Sequence, residues 1–196
     1  MRWMRLAGCL LLVAGCQTST MGALPPVVVQ LFDEGDPSGR IEIKAERSGA
    51  ILEARVEIPI ESLPGSIIKA ANQEMPNGTI TGALLEIIDG KRAYGVQKRF
   101  DERDFKLVFS PQGVLLMKET QLRTEEAPKA VILAAQAAVG GGLVSSFKKV
   151  QRGTDLYYHV KLRRGGASYK VVMGVDGNVL RMVREAKAEI EIPLPA

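Results

Sequence analysis

The chain has 196 residues, of which 46% are hydrophobic and 24% charged, with a formal net charge of +4 at pH 7. Such fractions exclude a collagenous, mucin-like or wholly disordered chain. One His, one Trp and two Cys leave little material for histidine-based catalysis, a histidine-rich metal site or a disulfide framework.

Residues 1–15 carry the features of a signal segment. Arg2 and Arg5 make a positive start. The apolar run that follows has about ten residues, half of the roughly 20 that a spanning helix needs. It ends in Leu12-Val13-Ala14-Gly15-Cys16. Charge, short apolar run, small residues and then Cys resemble the bacterial lipoprotein signal, in which the Cys is acylated and becomes the first residue of the mature chain. An ordinary secretory signal with an incidental Cys is the other reading. The resemblance implies lipidation of Cys16, loss of Trp3 and Cys9, and a membrane partner reached through the N-terminal lipid. Dual acylation anchors stably where one chain does not. Gln17 after the Cys implies, by likeness to the sorting rule of enteric bacteria, an outer-membrane anchor facing the periplasm. Residues 16–26, ending in Ala23-Leu24-Pro25-Pro26, are expected to be a tether.

Beyond the tether the chain repeats itself with a step of 64 residues. Pro64 falls on Pro128, Ile68 on Ile132, Gly78 on Gly142, Tyr94 on Tyr158, Arg99 on Arg163, Lys106 on Lys170 and Gly113 on Gly177, with no gap between 64–120 and 128–184. A fixed period with conserved apolar class marks stacked copies of one unit. In each copy a small-residue helix comes first: Ile67, Ile68, Ala71 and Met75, then Val131, Ile132, Ala135 and Val139, lie on one helical face. Ser62 and Thr124 are expected N-caps, and Gly78 and Gly142 expected left-handed C-terminal caps. Four strands follow: 80–88, 91–100, 105–109 and 114–122, then 143–151, 156–163, 169–173 and 179–191. Gln112-Gly113 and Asp176-Gly177 suit two-residue hairpin turns. Gly49 lies one period before Gly113, between runs 41–45 and 51–58, so segment 27–60 is expected to be a partial β copy without a helix, led by a strand at 27–32.

The expected fold class is α+β, with tandem helix-plus-four-stranded antiparallel sheet repeats at 61–124 and 125–196, preceded by that helix-less β partial repeat. Leu63-Pro64, Tyr94-Gly95-Val96 and Gln112-Gly113-Val114-Leu115-Leu116, with Ala127-Pro128, Tyr158-His159-Val160 and Asp176-Gly177-Asn178-Val179-Leu180, resemble the PepSY-like repeat. PepSY-like proteins are similar in fold to the beta-lactamase inhibitor protein (BLIP), a tandem repeat with a concave sheet. The resemblance implies an envelope protein that binds a partner, with a peptidase-inhibitor-like role among the options. It carries no catalytic residue.

The chemistry-bearing residues point the same way. His159 has no second His near it and no free Cys, so neither a metal site nor a catalytic triad is expected. Strand alternation puts it on one face with Tyr157, Lys161 and Arg163, as a solvated residue or a contact residue. Asp101, Glu102 and Asp104 are interleaved with Arg99, Arg103 and Lys106 and make a polar hairpin tip, not an acid–base pair. Gly140-Gly141-Gly142 lacks the Lys-Ser/Thr of a phosphate loop. Residues 125–188 hold 11 Lys and Arg against 5 Asp and Glu, so the second repeat is the basic one.

The expected function is binding, with no catalytic residue, no cofactor and no metal. A helix on one side of each four strands leaves the other sheet face open for an envelope protein or peptide. Tyr157, His159, Lys161 and Arg163 are the expected contact set, with Gln97 and Arg99 as their first-repeat counterparts. Nucleic acid is disfavoured by compartment. The alternatives are an accessory structural lipoprotein of outer-membrane assembly and an enzyme working through Asp101 and Asp104.

Overall fold

Strands joined by short polar turns pair with their chain neighbours, and here they do so without interruption. The computed structural model describes residues 26–35, 41–45 and 51–185. Within these, ten strands form one antiparallel sheet in sequence order. They are β1 (Ile41–Ala45), β2 (Ile51–Ile58), β3 (Thr79–Ile88), β4 (Lys91–Phe100), β5 (Arg103–Phe109), β6 (Leu115–Leu122), β7 (Leu143–Arg152), β8 (Asp155–Arg164), β9 (Ala167–Gly174) and β10 (Val179–Glu185). Three helices accompany them: α1 (Pro26–Glu34), α2 (Gly65–Glu74) and α3 (Lys129–Ala138). The starts of α2 and α3, β3 and β7, β4 and β8, β5 and β9, and β6 and β10 are each separated by 64 residues. The signal segment, Cys16, most of the tether, Gly49 and the expected strand beyond Glu185 lie outside the described residues.

One sheet face carries the helices and the apolar cores. Against α2, the buried residues are Leu63, Ile67, Ala71 and Met75, packed on Ala83, Val96, Leu107 and Phe109. Against α3 they are Ala127, Val131, Ala135 and Val139, packed on Phe147, Val160, Val171 and Met173. Each member of the second set stands 64 residues after one of the first. Helices of three turns do not hold alone in water, so this burial is what keeps α2 and α3 in place. One place breaks the match. Leu162 is buried under α3, while its counterpart Lys98 is equally buried and donates to the Met75 carbonyl at 2.7 Å and to Asn72 Oδ1 at 2.9 Å.

Several local expectations need correction. Segment 27–60 is not helix-less: residues 27–32 belong to α1, not to a strand. Val28 and Leu31, three apart, are buried against the β1–β3 end of the helix face, and an ion pair from Glu34 to Arg92 of β4 ties down the helix end. Burial of that stripe outweighs the strand propensity of Val27-Val28-Val29. Ser62 and Thr124 are not N-caps. Each lies in a separate 3-10 turn, Ile60–Ser62 and Thr124–Glu126, and Pro64 and Pro128 hold the N-cap positions. A residue before proline is driven to extended backbone, and Leu63 (ψ 133°) and Ala127 (ψ 136°) break the chain between 3-10 turn and helix. Gly78 and Gly142 are not helix caps. They lead into β3 and β7, where a Cβ would meet the carbonyl oxygens of Arg99 and Arg163 at 2.7 and 2.8 Å. Nor are the Gly113 and Gly177 turns two-residue hairpins. Gly113 N–H donates to the Ser110 carbonyl and Ser110 N–H to the Val114 carbonyl, each at 2.9 Å, which is a type I turn closed by a left-handed glycine in a bulge.

The sheet is bent at matching points. The register of β3 on β4 shifts between Ile80 and Gly82, and that of β7 on β8 between Val144 and Ser146. Such bulges increase local twist and coil a sheet. The helix-free face is concave, since side chains of β1 and β2 line one cavity with those of β8, β9 and β10. No helix of the described residues is long and apolar enough to cross a membrane.

The turn between β4 and β5 supplies a test. Asp101 (φ 50°) and Glu102 (φ 59°) both occupy the left-handed region, where the equivalent β8–β9 turn uses Gly165 and Gly166. Glu102→Gly should stabilise the protein by about 0.5–1 kcal/mol, the relief of left-handed strain less the entropy that glycine adds to the unfolded chain. Thermal denaturation should show a rise of about 1–4 °C.

Candidate functional site: a charged trough on the helix-free sheet face

The concave face bends far enough for side chains of β1 and β2 to look across at those of β8, β9 and β10. They bound a cavity of about 1010 Å³ whose walls include Lys44, Glu119, Tyr157, His159, Lys170 and Val172. A smaller depression of about 450 Å³ adjoins it, with Gln97, Lys106, Glu119 and Lys148 among its walls. No described helix lies over this face.

Alternation along each strand decides which charges point inward. Opposite the apolar side of β5 stands Lys106, opposite that of β6 Glu119, and opposite that of β7 Lys148. Glu86 interrupts the otherwise apolar end of β3. Its carboxylate is buried, and the Lys106 ammonium lies 2.9 Å from both oxygens. Room for this carboxylate exists because residue 95 is glycine: a Cβ there would stand 2.2 Å from Glu86 Oε1. Glu119 receives Lys148 at 3.0 Å and has the His159 Nδ1 atom 3.8 Å away. Burial raises the Glu119 carboxyl, but the Lys106 and Lys148 cations outweigh it and hold the group well below the usual carboxylate range. Lys44 pairs with Glu53, and Arg55 with Glu42. Burial and repulsion from Lys170, Arg55 and Lys106 lower Lys44 to about 7.

His159 is not the solvated strand residue expected of it. Its side chain is 12% exposed, and its ring packs on Tyr157 with centroids 5.4 Å apart. Burial and the Lys170 charge lower its pKa to about 3, so near neutral pH it is an uncharged imidazole beside an anion. Among the described residues no group of three His, Cys, Asp or Glu side chains is placed to hold a metal ion.

The expected contact residues share the open face but not one patch. Tyr157 and His159 line the trough, whereas Lys161 is held by Glu185 at 2.7 Å and Arg163 lies exposed near the far end of β8. At about 3.3 Å per residue, Tyr157 and Arg163 are some 20 Å apart along the strand. Gln97 lines the smaller depression, and Arg99 sits at the hairpin tip 3.8 Å from Asp104. Three strands separate β4 from β8, so these two do not join the β8 set. The residues that give the trough its character, Glu86, Lys106, Glu119, Lys148, Lys170 and Lys44, are missing from the sequence-derived set. One signal for them was present: Lys106 and Lys170 coincide in the 64-residue step and stand at polar positions within apolar strands.

The buried pair and the imidazole each generate a prediction. Lys106→Met should cost about 3–5 kcal/mol, because Glu86 is left charged and buried. Adding Glu86→Val should recover most of that loss in urea unfolding, since an apolar pair replaces an ionic one. For His159 the unfolded chain binds its proton near pH 6.5 and the folded protein only near pH 3. The stability tied to the neutral ring is therefore complete above pH 6.5 and lost as the pH falls toward 3, at up to ~1.4 kcal/mol per pH unit. Comparison of wild type with His159→Gln by denaturant melts between pH 7 and 4 should show the variant losing less.

No protein-family model and no curated protein matches the chain. Solved structures do. A DUF2874 family protein from Bacteroides uniformis is similar with a TM-score of 0.53 and 21% identity, over 62% of this chain and 89% of that one. A putative periplasmic protein from Bacteroides eggerthii gives 0.52 and 23%, over 62% and 88%. A BLIP-like protein from Bacteroides fragilis gives 0.51 and 18%, over 66% and 93%. At these identities the likeness is one of fold, and the fold of this chain is BLIP-like.

Proposed function

We propose that this chain is a binding module of the bacterial cell envelope, anchored through acylated Cys16 at the outer membrane, that holds a protein or peptide partner in its concave trough. Two tandem helix-plus-four-strand repeats of PepSY-like type, after the partial β copy, form the sheet that makes the trough. The observation that carries this proposal is the cavity of about 1010 Å³ on a sheet face that no described helix covers. It sets Tyr157, an aromatic of the type that anchors interfaces, among charged and apolar walls. The likeness to a putative periplasmic protein agrees with an envelope location. Binding is the reading that an open, mixed trough of this size supports.

Site-specific photocrosslinking in the native host tests this. A benzophenone amino acid at Tyr157 should give a discrete adduct of higher mass, and the same group at Leu133, exposed on the outer side of α3, should give none. Adducts from position 133 alone, or from neither position, would overturn the proposal. In addition, Tyr157→Ala should weaken capture of the crosslinked partner by about tenfold, as for an interface hot spot of 1–2 kcal/mol, with an unchanged melting temperature.

A further inference from the structure

Three hairpins, β1–β2, β5–β6 and β9–β10, place a cross-strand pair at the same point of the concave face. In the first, Glu42 is registered with Arg55 and the two form an ion pair. In the second, Lys106 is registered with Glu119, and its ammonium also lies 2.9 Å from the oxygens of Glu86. In the third, Lys170 is registered with Val183. Lys170 thus stands where Lys106 stands, 64 residues on, but the position of Glu119 is taken by Val183 and the position of Glu86 by Val150. His159 replaces Gly95, whose missing side chain makes room for the Glu86 carboxylate. Among the described residues Lys170 forms neither an ion pair nor a side-chain hydrogen bond, while Lys44, Lys106, Lys148 and Lys161 all have carboxylate partners.

This inference rests on the trough being a binding groove. We propose that the groove takes a polypeptide segment carrying a glutamate or aspartate, whose carboxylate pairs with Lys170 and supplies the negative charge that Glu86 and Glu119 supply to Lys106. Glu119 acts on Lys170 only as a nearby charge, without an ion pair, and holds Lys148 at 3.0 Å. Burial, with repulsion from Arg55, Lys148 and Lys161, lowers Lys170 to about 8 in spite of Glu119, a penalty that an incoming carboxylate relieves. The wall around Lys170 indicates a peptide over a phosphate or a polyanion. Leu156, Val172, Val175, Leu180 and Val183 line the same cavity and suit a ligand with one carboxylate among apolar side chains. Buried charge-assisted pairs of this kind confer specificity, because the wrong partner leaves the lysine unpaired.

The test uses pools of capped seven-residue peptides whose central residue is Glu, Asp or Gln and whose flanks are apolar or small, titrated against the immobilised full chain. The Glu and Asp pools should bind at least about tenfold more tightly than the Gln pool. Lys170→Met should reduce that preference to within about twofold, and Val183→Glu, which installs the missing carboxylate internally, should do the same. Both variants should melt no lower than wild type, since each removes or satisfies an unpaired charge. Arg163→Ala should leave the preference intact. Equal binding of Glu and Gln pools by wild type would overturn the carboxylate inference and leave the groove standing. No binding of any pool would overturn the groove itself. A preference that survives Lys170→Met, or displacement of the peptides by inorganic phosphate as readily as by glutamate peptide, would remove Lys170 as a carboxylate receptor.

Discussion

Neutralising charge on the concave side of a one-sided sheet is the constraint that shapes this protein. Helices cover only one face, so the other must meet water and cannot be apolar throughout. Bending then withdraws part of that face from solvent, and every charged side chain within the bend needs a counter-charge at short range. The first half of the sheet meets the requirement with Glu86, Lys106 and Glu119, at the expense of a glycine under the Glu86 carboxylate. The second half keeps the lysine and replaces both acids by valine. The difference between two otherwise matched halves, not the composition of either, distinguishes a structural ion pair from a place that lacks one.

Much of the architecture was legible because its signals are local. Strand ends at β2 and β4 fall where the apolar alternation stops, and the 64-residue step carries over to the starts of both large helices. Alternation also placed Tyr157 and His159 together on the open face. The failures have physical reasons. The first helix has a valine-rich sequence that locally favours a strand, and only the burial of Val28 and Leu31 in the tertiary structure decides otherwise. At the glycine-containing turns the residue type leaves the turn length open, since a left-handed glycine serves both the two-residue hairpin and the longer bulged turn. The 3-10 turns before α2 and α3 follow from the proline after them, a restriction on the preceding residue that the capping pattern masks.

The trough itself was hardly legible. Residues from seven or more strands meet there only after the sheet bends, and no sequence spacing brings Lys44 of the first strand near Lys170 of the ninth. Glu86 sits in a run of apolar residues, and its partner Lys106 is twenty residues away. Tyr157, His159, Lys161, Arg163, Gln97 and Arg99 share a face because alternation is a rule of single strands. They scatter because distance across a face is a property of the whole sheet.

The two apolar clusters share no buried side chain. Between them the helix-covered side is joined through the β6–β7 ladder, five registered residue pairs from Lys118 opposite Gln151 to Leu122 opposite Phe147. At a seam of that kind a continuous sheet can part with each half keeping its own interior dry. A guest lying across the opposite surface would touch both halves at once, so occupancy would act as a splint over that line, and the cooperativity of unfolding would depend on whether the guest is present.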